Sequence, residues 1–316
     1  MSELLDWLKP SKESPGMPWS QAVTTAGQWQ DVAFDTESGP VAGKLFIPTN
    51  LPAKPPLLVL LHGCGQSADE FATATRMAEH AEVAGFLVFF PVQCTLRNAG
   101  RCWNWFVPDH QRRGAGEPAL IAHAVREIAS AHDVDRRRIY VGGLSAGGAM
   151  AVIMGRVYPD LFAAVGVHSG VAYGVAMDAA SALETMRHGP DPHSEKVIGP
   201  RAPTIVFHGD ADNTVHQSNG KRIIEHCVGD TSDGCRARQF EGDGGEYVQT
   251  VFTGARGQVC AEHWEISEGG HAWSGGQAGA SFSDPSGPDA SEEMLRFFGS
   301  QRLRPRVATV DGGQSN

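Results

Sequence analysis

Between Val41 and Asp210 the chain repeats one pattern: a short, almost wholly apolar run ending at a glycine or a turn, then a longer segment with apolar residues on one face. VAGKLFIP, from Val41, alternates roughly as a strand does. PPLLVLLHG, ending at Gly63, is continuously apolar, as expected of a strand buried on both faces of a parallel sheet. GFLVFFP (85–91), RIYVGG (138–143), FAAVGVHSG (162–170) and TIVFHGD (204–210) read the same way. Between them lie helix-like stretches: Ala68 to Ala84, Pro118 to Ala131 with proline in its first turn, and Ala146 to Val157, stopped by Pro159. Buried strands alternating with helices predict one α/β domain with a mostly parallel, doubly wound sheet. Residues 1–30 read as a leader segment, 31–301 as the domain and 302–316 as a flexible tail. Three segments break the alternation, 92–117, 171–202 and 228–247, and loops that long in a compact domain usually carry function or form lids.

Composition sharpens this picture without redirecting it. Glycine accounts for 38 of 316 residues, about 12% against a usual level of about 7%, which implies many tight turns. Lys plus Arg number 26 and Asp plus Glu 36, a net charge of −10, with no basic run of five or more. Nucleic-acid and anionic-membrane partners are therefore not expected, because both need clustered cations. No apolar run approaches the roughly 18 residues of a transmembrane helix. The N-terminal sequence has neither a cationic start nor an apolar core of the kind a secretory signal carries. The six cysteines show no metal-binding spacing, so no metal is expected.

The chemistry concentrates at Gly143-Leu144-Ser145-Ala146-Gly147. As a bare G-x-S-x-G string it is weak, and a glycine-rich corner with a capping serine is the plain alternative. Its setting is more telling, since it follows RIYVGG directly and opens the helix AGGAMAVIMGRV, the strand-turn-helix context of a nucleophile elbow. A serine hydroxyl needs a base and an orienting acid to attack at neutral pH. Asp210 and Asp212 follow the strand TIVFHG, and His271 follows a late strand in a glycine-rich loop, giving the order Ser, Asp, His. Backbone N–H donors for an oxyanion would come from Ala146, next to the serine, and from Cys64, in the loop after LLVLL. His62 is expected to brace that loop by hydrogen bonds. Trp103 and Trp105 in the first long loop, and Trp273 two residues past His271, are candidates for an apolar wall, half-buried packing being the alternative. Cys64 and Cys102 flank motifs expected at the same cleft, so either a disulfide between them or two buried thiols is expected.

In this order, LHGCGQSADEF, CWNWF, GLSAGG, HGDADNTV and GGHAWSGG resemble the polyhydroxybutyrate (PHB) depolymerase family of esterases, related to the feruloyl and acetylxylan esterases of carbohydrate esterase family 1. The resemblance covers roughly residues 40 to 298. It implies an α/β-hydrolase fold and ester hydrolysis without a cofactor, with Ser145 as nucleophile, His271 as base, and Cys64 and Ala146 as oxyanion donors. In the related H-G-x-x-D-x-x-V pattern the acid stands three after the glycine, which selects Asp212, with Val215 in register, and leaves Asp210 a structural part. The expected partner is a small or oligomeric ester, with hydroxyacyl or short-chain acyl groups. A feruloyl or acetylxylan esterase is the alternative, and a catalytically silent binding module is the alternative of another class. The resemblance suggests an extracellular or periplasmic setting, whereas the N-terminal sequence leaves a cytoplasmic one open. Polymer-degrading members often add a module that adheres to the solid polymer, so a chain ending near residue 316 favours soluble substrates.

Overall fold

A computed structural model describes residues 26–36, 39–191, 201–229, 236–241 and 246–303. Most of the expected leader and all but the first two residues of the expected tail lie outside these. Ten strands form one sheet among the described residues. In chain order they are β1 (Gln28–Phe34), β2 (Val41–Ile47), β3 (Leu57–Leu61), β4 (Leu87–Pro91), β5 (Ile139–Leu144), β6 (Ala164–His168), β7 (Thr204–Gly209), β8 (Arg236–Glu241), β9 (Tyr247–Thr253) and β10 (Val259–Ile266). Their spatial order is β1-β2-β4-β3-β5-β6-β7-β10-β9-β8. The six central strands, β4 to β10, run parallel, and antiparallel pairs flank them on both edges.

The helices are α1 (Ala68–Thr75), α2 (Met77–Ala84), α3 (Gly116–Ala131), α4 (Ala146–Val157), α5 (Ala179–His188), α6 (Ser218–Val228) and α7 (Ala290–Ser300). Every residue of β3 is buried, and alternate side chains serve opposite layers. Leu57, Val59 and Leu61 join the core beneath α3 and α4, while Leu58 and Leu60 join the core beneath α1, α2 and α7. A strand with two buried faces reads as an unbroken apolar run, which is why these strands were visible in the sequence.

Two differences from the sequence reading have clear causes. The stretch 68–84 is two helices, because Arg76 takes a left-handed conformation (φ 53°) between them and ends α1. Arg76 is held there by Glu79 at 2.9 Å and Asp289 at 3.6 Å. The first strand also begins at Gln28, inside the segment read as leader.

Candidate functional site

At the C-terminal edge of the parallel strands the loops after β3, β4, β5, β7 and β10 supply the residues singled out above. Ser145 joins β5 to α4 with φ 56° and ψ −119°, a strained conformation for a residue with a side chain. The strain is tolerated because its neighbours lack side chains where the chain is crowded. A Cβ on Gly147 would lie 2.0 Å from the Leu61 carbonyl oxygen, and one on Gly143 would lie 2.5 Å from the Gly147 carbonyl carbon. The elbow thus presses directly on the end of β3, where the loop carrying Cys64 begins. The Ser145 N–H donates to the His168 carbonyl at 2.9 Å, fixing the elbow to β6.

Asp212 and His271 form the second part. His271 Nδ1 donates to Asp212 Oδ2 at 2.8 Å, which leaves Nε2 as the basic nitrogen of the ring. The other carboxylate oxygen accepts the N–H groups of Thr214 at 2.9 Å and Val215 at 2.8 Å. His208 Nε2 lies 3.6 Å from Oδ2 and donates to the Val215 carbonyl at 2.8 Å, so it stiffens the same turn. Burial works to raise the Asp212 carboxyl, but the hydrogen bond and charge of His271 and the Val215 N–H outweigh it and hold the group at about 2. Asp212 is consequently a carboxylate at any ordinary working pH. Asp210 does something else: its N–H donates to the Ile266 carbonyl at 3.0 Å and its Oδ1 accepts from Glu268 N–H at 2.6 Å, lacing the end of β7 to the end of β10.

The loop after β3 is set by a small hydrogen-bond lattice. Gly63 N–H donates to Gln66 Oε1 at 3.0 Å and Gly65 N–H to the Gly100 carbonyl at 2.9 Å, on either side of Cys64. His62 is fully buried, and burial pushes it down to about 4. Its Nε2 accepts the Gln93 N–H at 3.1 Å, so Nδ1 carries the proton and donates to the Gly63 carbonyl at 2.8 Å. His62 is thereby a brace for this loop. A disulfide joins Cys64 to Cys102 and ties the loop to the tryptophan-bearing segment. Ala146, as the first residue of α4, has an N–H with no carbonyl inside its own helix to bond.

Ser145, Ala146, Cys64 and Trp105 line one cavity, whose remaining wall is Cys102, Val171, Met186 and Val215. It is narrow, with a volume of about 30 Å³. Of the three tryptophans expected on an apolar wall, the structure brings only Trp105 there. Trp103 is buried and donates its indole N–H to the His62 carbonyl at 3.1 Å, a brace for the loop after β3. Trp273 has no exposed surface: it packs edge-on against Phe71, stacks on His168 and donates to Ser291 Oγ at 3.1 Å. Closeness to His271 along the chain did not carry its side chain to the cavity, because a tight turn (Ala272 N–H to Gly270 carbonyl, 3.0 Å) sends it into the core.

Three structural residues escaped the sequence reading. Glu117, in the first turn of α3, is buried and holds the tryptophan loop: its carboxylate accepts from Asn104 N–H at 2.8 Å, from Asn104 Nδ2 at 2.5 Å and from Gln93 Nε2, and His110 Nδ1 lies 3.2 Å away. His168 and His208 end β6 and lie in β7. With His62 they repeat a histidine at the close of an apolar run, in LLHG, GVHSG and VFHGD, and that repetition was the signal available. Away from the cavity, His80, Asp289 and Glu292 come close enough to hold a cation. Asp289, however, already carries Arg76 and caps α7 through the N–H groups of Ser291 and Glu292.

A mostly parallel sheet with a strained serine after β5, a carboxylate after β7 and a histidine after β10 is the α/β-hydrolase fold. Within that class the chain belongs to the esterase PHB depolymerase family, whose family model matches residues 43–229. It is 30% identical over 254 residues to poly(3-hydroxyalkanoate) depolymerase C of Paucimonas lemoignei, covering 75% of this chain and 60% of that protein. It is 32% identical over 188 residues to feruloyl esterase B of Neurospora crassa, covering 54% of this chain and 63% of that one. The match therefore spans less than two thirds of either relative's length. Among solved structures, acetyl xylan esterase from Aspergillus awamori superposes with a TM-score of 0.68 at 21% identity, over 87% of this chain and 100% of that one.

Proposed function

We propose that the chain is a serine carboxylesterase that hydrolyses short-chain or hydroxyacyl esters through an acyl-enzyme. The observation that carries this reading is the 2.8 Å contact from His271 Nδ1 to the buried Asp212 carboxylate, at the same sheet edge as the strained Ser145. In this reading Ser145 Oγ attacks the ester carbonyl while His271 Nε2 takes its proton. Asp212 keeps the proton of the neutral ring on Nδ1 and stabilises the imidazolium that forms. The N–H groups of Cys64 and Ala146 receive the developing oxyanion. The imidazolium then protonates the departing alcohol, and a water molecule activated by the same base releases the acid.

The narrow cavity around Ser145 supports acyl groups of a few carbons over a bulky aromatic acid in the acyl position. The Cys64–Cys102 disulfide supports an oxidising compartment. A hydrolysis panel of p-nitrophenyl acyl esters, methyl ferulate, acetylated xylan and hydroxybutyrate oligomers tests the reading. Turnover of C2 to C4 acyl groups and short hydroxybutyrate oligomers is expected. No turnover of any ester would leave the binding-module alternative in its place.

A further inference from the structure

Phe282 combines three unusual properties. It is 48% exposed, although most large apolar side chains of the domain are buried. Its backbone sits at φ +52°, a conformation that a bulky aromatic residue rarely adopts unless its surroundings impose it. Its ring stands edge-on to His271, with centroids 6.3 Å apart.

The surroundings do impose that conformation. Two short strands, β11 (Trp273–Ser274) and β12 (Ser283–Asp284), pair beside it, and the Trp273 N–H donates to the Phe282 carbonyl at 2.8 Å. The preceding carbonyl, of Ser281, accepts from Gln66 Nε2 at 3.1 Å, and the following side chain, Ser283 Oγ, donates to the Ala74 carbonyl at 3.1 Å. Gln66 is also the residue whose Oε1 holds the Gly63 N–H, so one side chain links the loop beside Cys64 to the loop that presents Phe282. A strained backbone fixed from both sides keeps an exposed ring in place beside the base, where a mobile ring would lose its contact on binding.

Position beside His271 defines what such a ring meets. In the reaction proposed above, on which this inference rests, His271 gives its proton to the oxygen of the departing alcohol. The atoms attached to that oxygen must then lie beside the imidazole and outside the narrow cavity, which holds the acyl group. We propose that Phe282 is the leaving-group platform, and that among the esters the site hydrolyses it favours, over those with open-chain alcohols, esters whose alcohol presents a ring with an apolar face, aryl or sugar, to stack on it. Ring faces suit this surface because they bury apolar area against an aromatic ring at little cost in conformational freedom. A short alkyl alcohol is too small to cover it.

The test compares phenyl acetate and an acetylated methyl xyloside with ethyl acetate, which share one acyl-enzyme, in wild type, Phe282→Ala and Phe282→Tyr. The readout is the ratio of kcat/KM for each ring-bearing ester to that for ethyl acetate. Phe282→Ala should lower the ratio about 10-fold for at least one ring class, chiefly through KM, and Phe282→Tyr should keep it near wild type. Loss confined to phenyl acetate would identify aryl alcohols as the class, and loss confined to the xyloside would identify sugars. An active wild type whose ratios are the same in Phe282→Ala overturns this inference alone. A wild type inactive on all three acetates overturns this inference, and the proposed esterase activity falls with it only if hydroxybutyrate oligomers are not hydrolysed either.

Discussion

The imidazole of His168 and the indole of Trp273 are stacked, with ring centroids 5.4 Å apart and planes 27° from parallel, and the carbonyl of the same His168 accepts the N–H of Ser145. The elbow is therefore fixed to a residue in a buried aromatic layer, in which Phe207 also stacks on His168. Trp273 meets the site only through this packing, with no surface of its own exposed.

Replacing Trp273 should consequently be felt first in stability. Trp273→Ala empties a fully buried site and breaks the bond to Ser291, an expected cost of about 3–5 kcal/mol. The preference among C2, C4 and C8 esters should stay that of wild type in whatever fraction is folded. Trp105→Ala, by contrast, should open the cavity and extend activity toward longer acyl chains. Thermal melts and chain-length profiles of both variants check this. A shifted profile with Trp273→Ala at unchanged melting temperature would contradict it.

Asp212 and Asp210 should separate cleanly. Asp212→Asn removes the preference for the Nδ1–H tautomer of His271 and should lower kcat by about 10³-fold or more. Asp210→Ala loses the tie to Glu268 N–H and should cost about 1–2 kcal/mol of stability with kcat within a few-fold of wild type. Steady-state kinetics and urea melts of the two variants decide between the roles.

Acid should unfold the protein earlier than its carboxylates alone require. His62 and His168 are buried, and burial lowers them from 6.5 to about 4 and about 3 respectively. Each accepts a backbone N–H on Nε2, from Gln93 and Ser274, both at 3.1 Å, so protonation would set a donor against a donor. The unfolded chain takes up these protons below pH 6.5 while the folded one does not, so stability is full above that value and falls as pH drops toward 4. The two rings together should give a slope on the order of 2–3 kcal/mol per pH unit in that window. Equal urea midpoints at pH 7.5 and pH 5 would count against it.

The Cys64–Cys102 bridge closes a loop with a sequence separation of 38 and holds both the loop after β3 and the tryptophan loop. Chain entropy assigns such a closure about 4 kcal/mol. The Cys64→Ser, Cys102→Ser double variant should melt about 10 °C lower and lose part of kcat, with KM less affected. A melting temperature within 2–3 °C of wild type, on the scale of less than about 1 kcal/mol, would show that the hydrogen bonds of His62, Gln66 and Glu117 suffice.

The central strands were legible because β3 to β7 are buried on both faces and write themselves as apolar runs. β1 and β8 were not, since QWQDVAF and RARQFE are largely exposed edge strands, in which only Val32 and Phe34 of β1 turn partly toward the core. The break at Arg76 carried no glycine or proline to announce it; its side chain is engaged by Glu79 and by Asp289, the latter distant in sequence. Ser145 and His271 could be chosen because chemistry constrains their order and each follows a strand, whereas Asp212 was separated from Asp210 only by the resemblance to the H-G-x-x-D-x-x-V pattern. Glu117 looked like an ordinary acidic residue at a helix start, and only folding shows that it is buried beneath the tryptophan loop. Trp273 misled because nearness along the chain fixes where a backbone passes, and leaves open which way a side chain points.

The central claim is that Ser145 is the nucleophile, and covalent labelling tests it most directly. The protein is treated with an organophosphonate ester, digested and mapped by mass spectrometry, with Ser145→Ala treated in parallel. A single adduct on the peptide containing Ser145, absent from a folded Ser145→Ala variant that has lost about 10³-fold or more of kcat, is the predicted result. An adduct on another serine, or a Ser145→Ala variant that keeps wild-type turnover, would contradict the account.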